Sequence, residues 1–220
     1  MYKRDTMPQV ARYWNNIAED FDSIYTGKNK SAFRRALDRY FRADIYGRFD
    51  WVMQHCGDLR GRSICDIGCG SGRFVTEFAR RGAGHVTGVD VAPEMIRLAE
   101  DLVIRDGVAE RCDFAVADVL NWNPTRKFDI TIAIGFWDYI ANPAERLRLI
   151  RRFTTGRFLS AWPRFWTWRM PVRKVRLEYL GCPVYFFRQP QVYRMLEEAG
   201  FGVESCDVVG KLYCVDARPR

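Results

Sequence analysis

The chain has 220 residues, 48% hydrophobic and 28% charged, which fits a globular protein and excludes disordered and fibrous classes. Its apolar runs fall far short of a membrane span. The start, MYKRDTMPQVARYW, has no apolar leader core, and the seven cysteines form no CxxC pair, so a reducing cytoplasm is the expected compartment. The net charge of +8 is local: from Arg146 to Arg188, ten Arg and one Lys meet only Glu178, a segment of +10 that leaves −2 for the rest.

In chain order, residues 8–24 carry apolar side chains at 10, 13, 14, 17, 18, 21 and 24, a helical period. Residues 31–55 repeat it with Phe33, Leu37, Tyr40, Phe41, Ile45, Phe49 and Val52. Strands then alternate with helices: strand 62–67, helix 72–81, strand 85–89, helix 93–105, strand 112–116, strand 128–134, helix 143–153 and strand 157–161. Helix 191–199 stops at Gly200. Strands 203–209 and 212–217 follow, with only Gly210 and Lys211 between them, a hairpin signal. Such alternation predicts βαβ units and an α/β, doubly wound, mostly parallel seven-stranded sheet of Rossmann-like type whose last strand is antiparallel. The expected organisation is a single domain over 1–220. Residues 1–56 form a helical cap, residues 57–220 the core, and the irregular, proline-rich stretch 163–189 an inserted lid.

Asp66-Ile67-Gly68-Cys69-Gly70-Ser71-Gly72 joins the first strand to its helix. Glycines at 68, 70 and 72 let the backbone turn sharply and let a ligand touch the main chain. A dinucleotide fingerprint would need Gly or Ala at position 73, where this chain has Arg, and a phosphate loop would need Gly-Lys-Ser/Thr. Instead an acid, Asp66, precedes the loop. Asp90 ends the next strand, where a ribose diol is held in nucleotide folds, and Asp118 follows the third.

The ordered segments DIGCGSG, GVDVAPEM, ADV and FDITIAIG resemble the successive motifs of class I S-adenosylmethionine-dependent methyltransferases. The match is close over 62–135 and looser in the C-terminal hairpin. The resemblance implies S-adenosylmethionine as cofactor, S-adenosylhomocysteine as product and no metal. Carried over residue by residue, it implies that Asp66, Gly68, Cys69, Gly70 and Gly72 hold the methionine end, with Gly135 nearby. Asp90 accepts the ribose hydroxyls, and Val91 and Met95 pack on the adenine. Asp118 takes its amino group beside the Val119 backbone. The segment Tyr13 to Asp22 is similar to the helix that closes over the cofactor in small-molecule members, which adds Tyr13 and the following Tyr25 to the binding set.

Methyl transfer from a sulfonium needs alignment and exclusion of water more than acid–base help. The two histidines are badly placed for a base: His85 begins a strand and His55 precedes the sheet. The segment after the fourth strand emerges at the acceptor crevice. There Asp138 and Tyr139 are candidates to orient or deprotonate an acceptor, or else cap a helix and fill the core. Trp137, Arg164, Trp166, Arg169 and Arg173 are candidate acceptor contacts, the arginines toward an acidic group.

The leading expectation is methylation of a small or medium acidic or aromatic acceptor at O, N or C. The chain lacks the Asn-Pro-Pro-aromatic and Pro-Cys signatures of base methyltransferases. Interleaved arginines and aromatics in the insert leave an RNA methyltransferase as the alternative. Peripheral membrane contact through Trp162 to Trp168 and a non-catalytic cofactor-binding scaffold are further readings. No transmembrane segment is expected.

Overall fold

The structure, a computed structural model, describes residues 7–26, 43–165 and 182–220, together with 175, 177 and 179; the side chains of 20–26 and 43–45 lie outside it. Helix α1 spans Met7–Thr26 and α2 spans Ala43–His55. The core then runs β1 (Ser63–Ile67), α3 (Arg73–Arg80), β2 (His85–Asp90), α4 (Pro93–Arg105), β3 (Cys112–Val116) and β4 (Phe128–Ile134). It continues with α5 (Pro143–Phe153), β5 (Thr154–Pro163), α6 (Gln189–Glu198), β6 (Phe201–Val209) and β7 (Leu212–Pro219). The expected helix over 31–55 is represented by α2; residues 27–42 lie outside the described residues.

The strands form one seven-stranded sheet in the order β3-β2-β1-β4-β5-β7-β6. β1 pairs in parallel with β2 and β4, and β7 runs antiparallel between β5 and β6. The strand order reverses direction at β1 and β4. Their C-terminal ends therefore open a crevice where a doubly wound sheet binds ligand. Because strand side chains alternate, Ile64, Ile130, Ile132 and Leu159 face one apolar layer with Val52, Val75 and Phe78. Cys65, Ala133, Phe158 and Trp162 face the other, with Leu147, Ile150 and Leu196. Both faces are covered, as a parallel sheet requires.

Several elements differ from the sequence expectation by one to three residues: β6 begins at Phe201 and β7 runs to Pro219, and β5 and α6 both start early. β5 begins three residues earlier because no loop separates it from α5. Thr154 Oγ1 donates to the Ile150 carbonyl (2.8 Å) and so satisfies a helix-end acceptor while its backbone is already extended. Gly156 then passes so close to the Asp129 carbonyl that a Cβ would sit 2.5 Å from it. α6 begins at Gln189, and Pro190 occupies its first turn, where proline is tolerated.

The basic segment is less unbalanced in space than along the chain. Arg146 pairs with Asp118 and Arg157 with Asp216, acids that lie outside it in sequence. Arg151 donates to the Gly200 carbonyl. Several of the cations that a linear count assigns to a ligand-facing surface are therefore consumed in tertiary packing. No helix among the described residues is long and apolar enough to cross a membrane. All seven cysteines are free.

Candidate functional site

The glycine loop is drawn across the end of β2. Gly68 and Cys69 both donate to the Val89 carbonyl (2.7 and 3.1 Å). Gly70 donates to Asp90 Oδ2 (3.0 Å), and Ala92 donates to Asp90 Oδ1 (2.9 Å). With the Val91 N–H also directed at it, the carboxylate has three backbone donors, so it fixes the loop and still has acceptor capacity. Gly68, Gly70 and Gly72 all adopt positive φ, and a Cβ on Gly70 would meet nothing within 4 Å, so the backbone there faces open space. The loop thus forms a glycine cradle at the end of β1 with its backbone open at Gly70.

Asp66 lies beneath the cradle. It is buried, and its Oδ2 has no hydrogen-bond partner among the described residues. Burial, reinforced by the nearby Asp90 and opposed by Arg48, pushes its carboxyl up to about 8. Burial also raises Asp90, against the pull of the backbone N–H groups around it. Two acids crowded in a low-dielectric crevice are relieved by a proton on one of them or by a cation beside them. Burial likewise pushes the Cys65 and Cys69 thiols well up, so they stay protonated and are poor nucleophiles.

Arg48 is the residue that motif reasoning missed. It sits on α2, outside the sheet, yet a Cβ on Gly135 would fall 3.0 Å from its Nη1. Its guanidinium therefore lies at the tip of β4, close enough to Asp66 to lower that carboxyl. α2 is locked in place by Trp51, whose indole donates to Asp207 on β6 (2.8 Å), and by Gly47, whose Cα packs tightly on Val209. The cap thus supplies a cation to the crevice across from the two acids. A lone arginine in a helix with no motif carries no local signal of this.

The next acid, Asp118, is held from both sides. Leu120 N–H donates to its Oδ1 (3.0 Å), and Arg146 Nη2 donates to its Oδ2 (2.7 Å). Val119 is buried in the core layer, and Val91 packs against the same layer. Met95 is buried with Ala18 and Ala92, with Trp14 packed on them. α1 therefore lies over the start of α4. Asn15 Oδ1 accepts from the Glu94 N–H (3.1 Å) and caps a helix whose own N-cap, Ala92, has no side-chain acceptor. Tyr13 stands edge-on to Trp14, which in turn stands edge-on to Tyr139 across the crevice. The side chain of Tyr25 lies outside the described residues.

After β4, Trp137, Asp138 and Tyr139 form a single 3₁₀ turn. Trp137 is fully buried and stacked face to face on Trp162 (4.3 Å between rings). It supports the crevice from beneath rather than lining it, a packing role worth about 0.5–1.5 kcal/mol beyond its buried area. Asp138 is buried, and its carbonyl accepts from the Tyr185 N–H (2.8 Å). Tyr185 belongs to the strand-like return of the insert. Phe187 donates to the Pro163 carbonyl, and Phe165 donates to the Phe187 carbonyl, so the two ends of the insert leave the sheet side by side. Arg164 turns toward the β6–β7 hairpin: it donates to the Gly210 carbonyl (3.2 Å) and its guanidinium lies over Tyr213. The hairpin lies at the C-terminal end of β5, on the same edge of the sheet as the crevice. Trp166, Arg169 and Arg173 lie outside the described residues.

The histidines stand apart from this crevice. His85, at the start of β2, approaches Asp113, and the His55 ring bonds the Trp51 carbonyl. Among the described residues, no group of three or more His, Cys, Asp or Glu is placed to hold a metal ion.

A doubly wound sheet with this strand order, a glycine cradle after β1 and acids closing β1, β2 and β3 defines a class I S-adenosylmethionine-dependent methyltransferase. The chain belongs to the methyltransferase-domain family, whose model matches residues 58–200. It is similar to a ubiquinone biosynthesis O-methyltransferase of Aeromonas salmonicida (strain A449), 33% identical over 103 residues, 47% of this chain and 43% of that protein. An EEF1A lysine methyltransferase 2 of Danio rerio is 33% identical over 154 residues, 63% of this chain and 66% of that one. The chain therefore spans less than half the length of the first of these relatives and about two thirds of the second. Among solved structures, magnesium protoporphyrin IX methyltransferase from Synechocystis PCC 6803 with bound SAH shares the fold at a TM-score of 0.78. That likeness covers 98% of this chain and 100% of the other at 17% identity.

Proposed function

We propose that this chain transfers the methyl group of S-adenosylmethionine to an oxygen, nitrogen or carbon of a small or medium acidic or aromatic acceptor. The observation that carries the reading is Asp66: a buried carboxylate oxygen without a partner, crowded by Asp90, beneath an open glycine cradle. A cation completes that arrangement, and S-adenosylmethionine brings two, its ammonium and its sulfonium. The cofactor supplies a methyl group already activated by the positive sulfur.

The chain's residues do the rest. Asp66 and the backbone of Gly68 to Gly72 hold the methionine end, and Arg48 faces its carboxylate. Asp90 accepts from the ribose hydroxyls with the acceptor capacity its backbone donors leave. Val91 and Met95 flank the adenine, and Asp118 accepts from its amino group. α1 closes over this end with Tyr13 and Trp14, which excludes water and offers aromatic faces to the sulfonium. Asp138 and Tyr139 stand at the acceptor side, where the nucleophile must approach in line with the methyl–sulfur bond. The return of the insert is fastened to the Asp138 carbonyl through Tyr185, next to this acceptor side.

The test is transfer of labelled methyl from S-adenosylmethionine to a panel of phenols, carboxylic acids and amines, with total RNA and a lysine-rich protein alongside. The reading predicts label in a small acidic or aromatic compound. Label confined to RNA or protein would overturn the acceptor class and leave the cofactor assignment standing. Replacement of Arg169 and Arg173 by Ala is expected to raise the KM of an acidic acceptor and leave cofactor affinity unchanged.

A further inference from the structure

Asp118 and Arg146 form a nearly fully buried ion pair, with both side chains about one-tenth exposed or less. The partners come from different elements, Asp118 from the loop after β3 and Arg146 from the first turns of α5. Arg146 is surrounded on its helix by the core residues Leu147 and Ile150, and its Nε is buried without a hydrogen-bond partner among the described residues. A buried pair of this kind is a poor source of stability, because desolvation offsets most of the attraction and the Nε–H is left unsatisfied. What it does provide is geometry. The Leu120 N–H takes Oδ1 and Arg146 Nη2 takes Oδ2, so the carboxylate plane is fixed from two sides.

We propose that Arg146 is a positioning residue for recognition of the cofactor's base. By holding the Asp118 carboxylate in one orientation, it makes the pocket accept the 6-amino group of adenine and reject a 6-oxo purine. This rests on the reading of Asp118 as the adenine acceptor. An ionised carboxylate only accepts hydrogen bonds, so it pairs with an amino group and repels a carbonyl oxygen. A carboxylate free to rotate can turn aside from the carbonyl and discriminates less. A site built to hydrogen-bond one polar group discriminates strongly against an analogue that cannot match it, provided its own groups are fixed.

The experiment compares calorimetric affinities for S-adenosylhomocysteine and S-inosylhomocysteine, in which the 6-amino group is replaced by a carbonyl and N1 carries a proton; the N1 difference is common to every variant, so the change in ratio reads the 6 position. In the wild type the adenine ligand is expected to bind at least about tenfold more tightly, the worth of one hydrogen bond to a charged group. Arg146→Met should cut that ratio by at least threefold, and Arg146→Lys, which keeps the charge but not the planar fork, should give an intermediate ratio. In an Asp118→Asn background, where no orientation of a charge remains to be lost, Arg146→Met should leave the ratio unchanged. That double variant buries no orphan charge. Asp90→Ala should weaken both ligands alike.

If Arg146→Met lowers both affinities equally and preserves the ratio, its role is merely structural and the inference is overturned. If Arg146→Met does not fold, Arg146→Lys decides: a reduced ratio supports the inference and an unchanged one overturns it. If Asp118→Asn alone leaves the ratio at its wild-type value, the adenine assignment of Asp118 itself fails. A collapse of the ratio in Asp118→Asn with none in either Arg146 variant sinks only the positioning role.

Discussion

Asp66 should make cofactor binding strongly pH-dependent. Its carboxyl is pushed up to about 8 by burial and by Asp90, with Arg48 only partly offsetting them. At pH 6.5 the free protein then holds Asp66 ionised in only about one molecule in thirty. A ligand that brings an ammonium group binds the ionised form, so its apparent affinity should rise close to tenfold per pH unit from pH 6 to 7.5 and flatten above 8. One proton should leave as the ligand enters. Titration calorimetry of S-adenosylhomocysteine in two buffers of different ionisation enthalpy measures both the slope and the proton count. Asp66→Asn should bind more weakly at pH 8 and lose the slope.

The same shift acts on stability with a definite sign. The folded carboxyl binds its proton more tightly than the unfolded one, whose value is near 3.8. Its contribution to stability is therefore fully present below about pH 4 and is lost as pH rises through about 8, so the ligand-free protein should weaken over that window. Flat binding from pH 6 to 8 with no proton release would refute the environment described for Asp66.

Arg48→Met removes the cation at the tip of β4 and should weaken S-adenosylhomocysteine by about 1.5–3 kcal/mol in the same titration. It should also move the pH midpoint upward, because Asp66 loses the charge that lowers it. Gly72→Val demands φ of +75° from a β-branched residue and drives a Cβ to 2.7 Å from the Ala99 Cβ. Urea unfolding should show a loss of roughly 3 kcal/mol or more, and failure to fold would agree with it.

What the sequence made legible is what is written contiguously. The glycine loop, the strand-end acids and the proline starts of α4 and α5 depend on a few adjacent residues and on strand and helix periods, and their bounds agree closely with the structure. The early start of β5 was hidden because Thr154 caps α5 and opens the strand in one residue. Partnerships across the fold were hidden for a different reason. Arg48 reaches Gly135 only because α2 lies over the sheet, and Arg146 reaches Asp118 only because α5 returns beneath the loop after β3. Trp137 reads as an exposed aromatic at a crevice until its stack on Trp162 is seen. The contacts of Arg164 with Gly210 and Tyr213 are likewise visible only once the β6–β7 hairpin is folded beside it.

The central claim is that the crevice at the ends of β1, β2 and β3 holds S-adenosylmethionine through Asp90. Calorimetric titration of S-adenosylhomocysteine into the wild type and Asp90→Ala at pH 8 tests it most directly. The account predicts a single site in the wild type and a loss of about 2–4 kcal/mol in the variant, because the ribose hydroxyls lose a charged acceptor and Gly70 loses its anchor. Wild-type affinity in Asp90→Ala, or no binding to either protein, would contradict it.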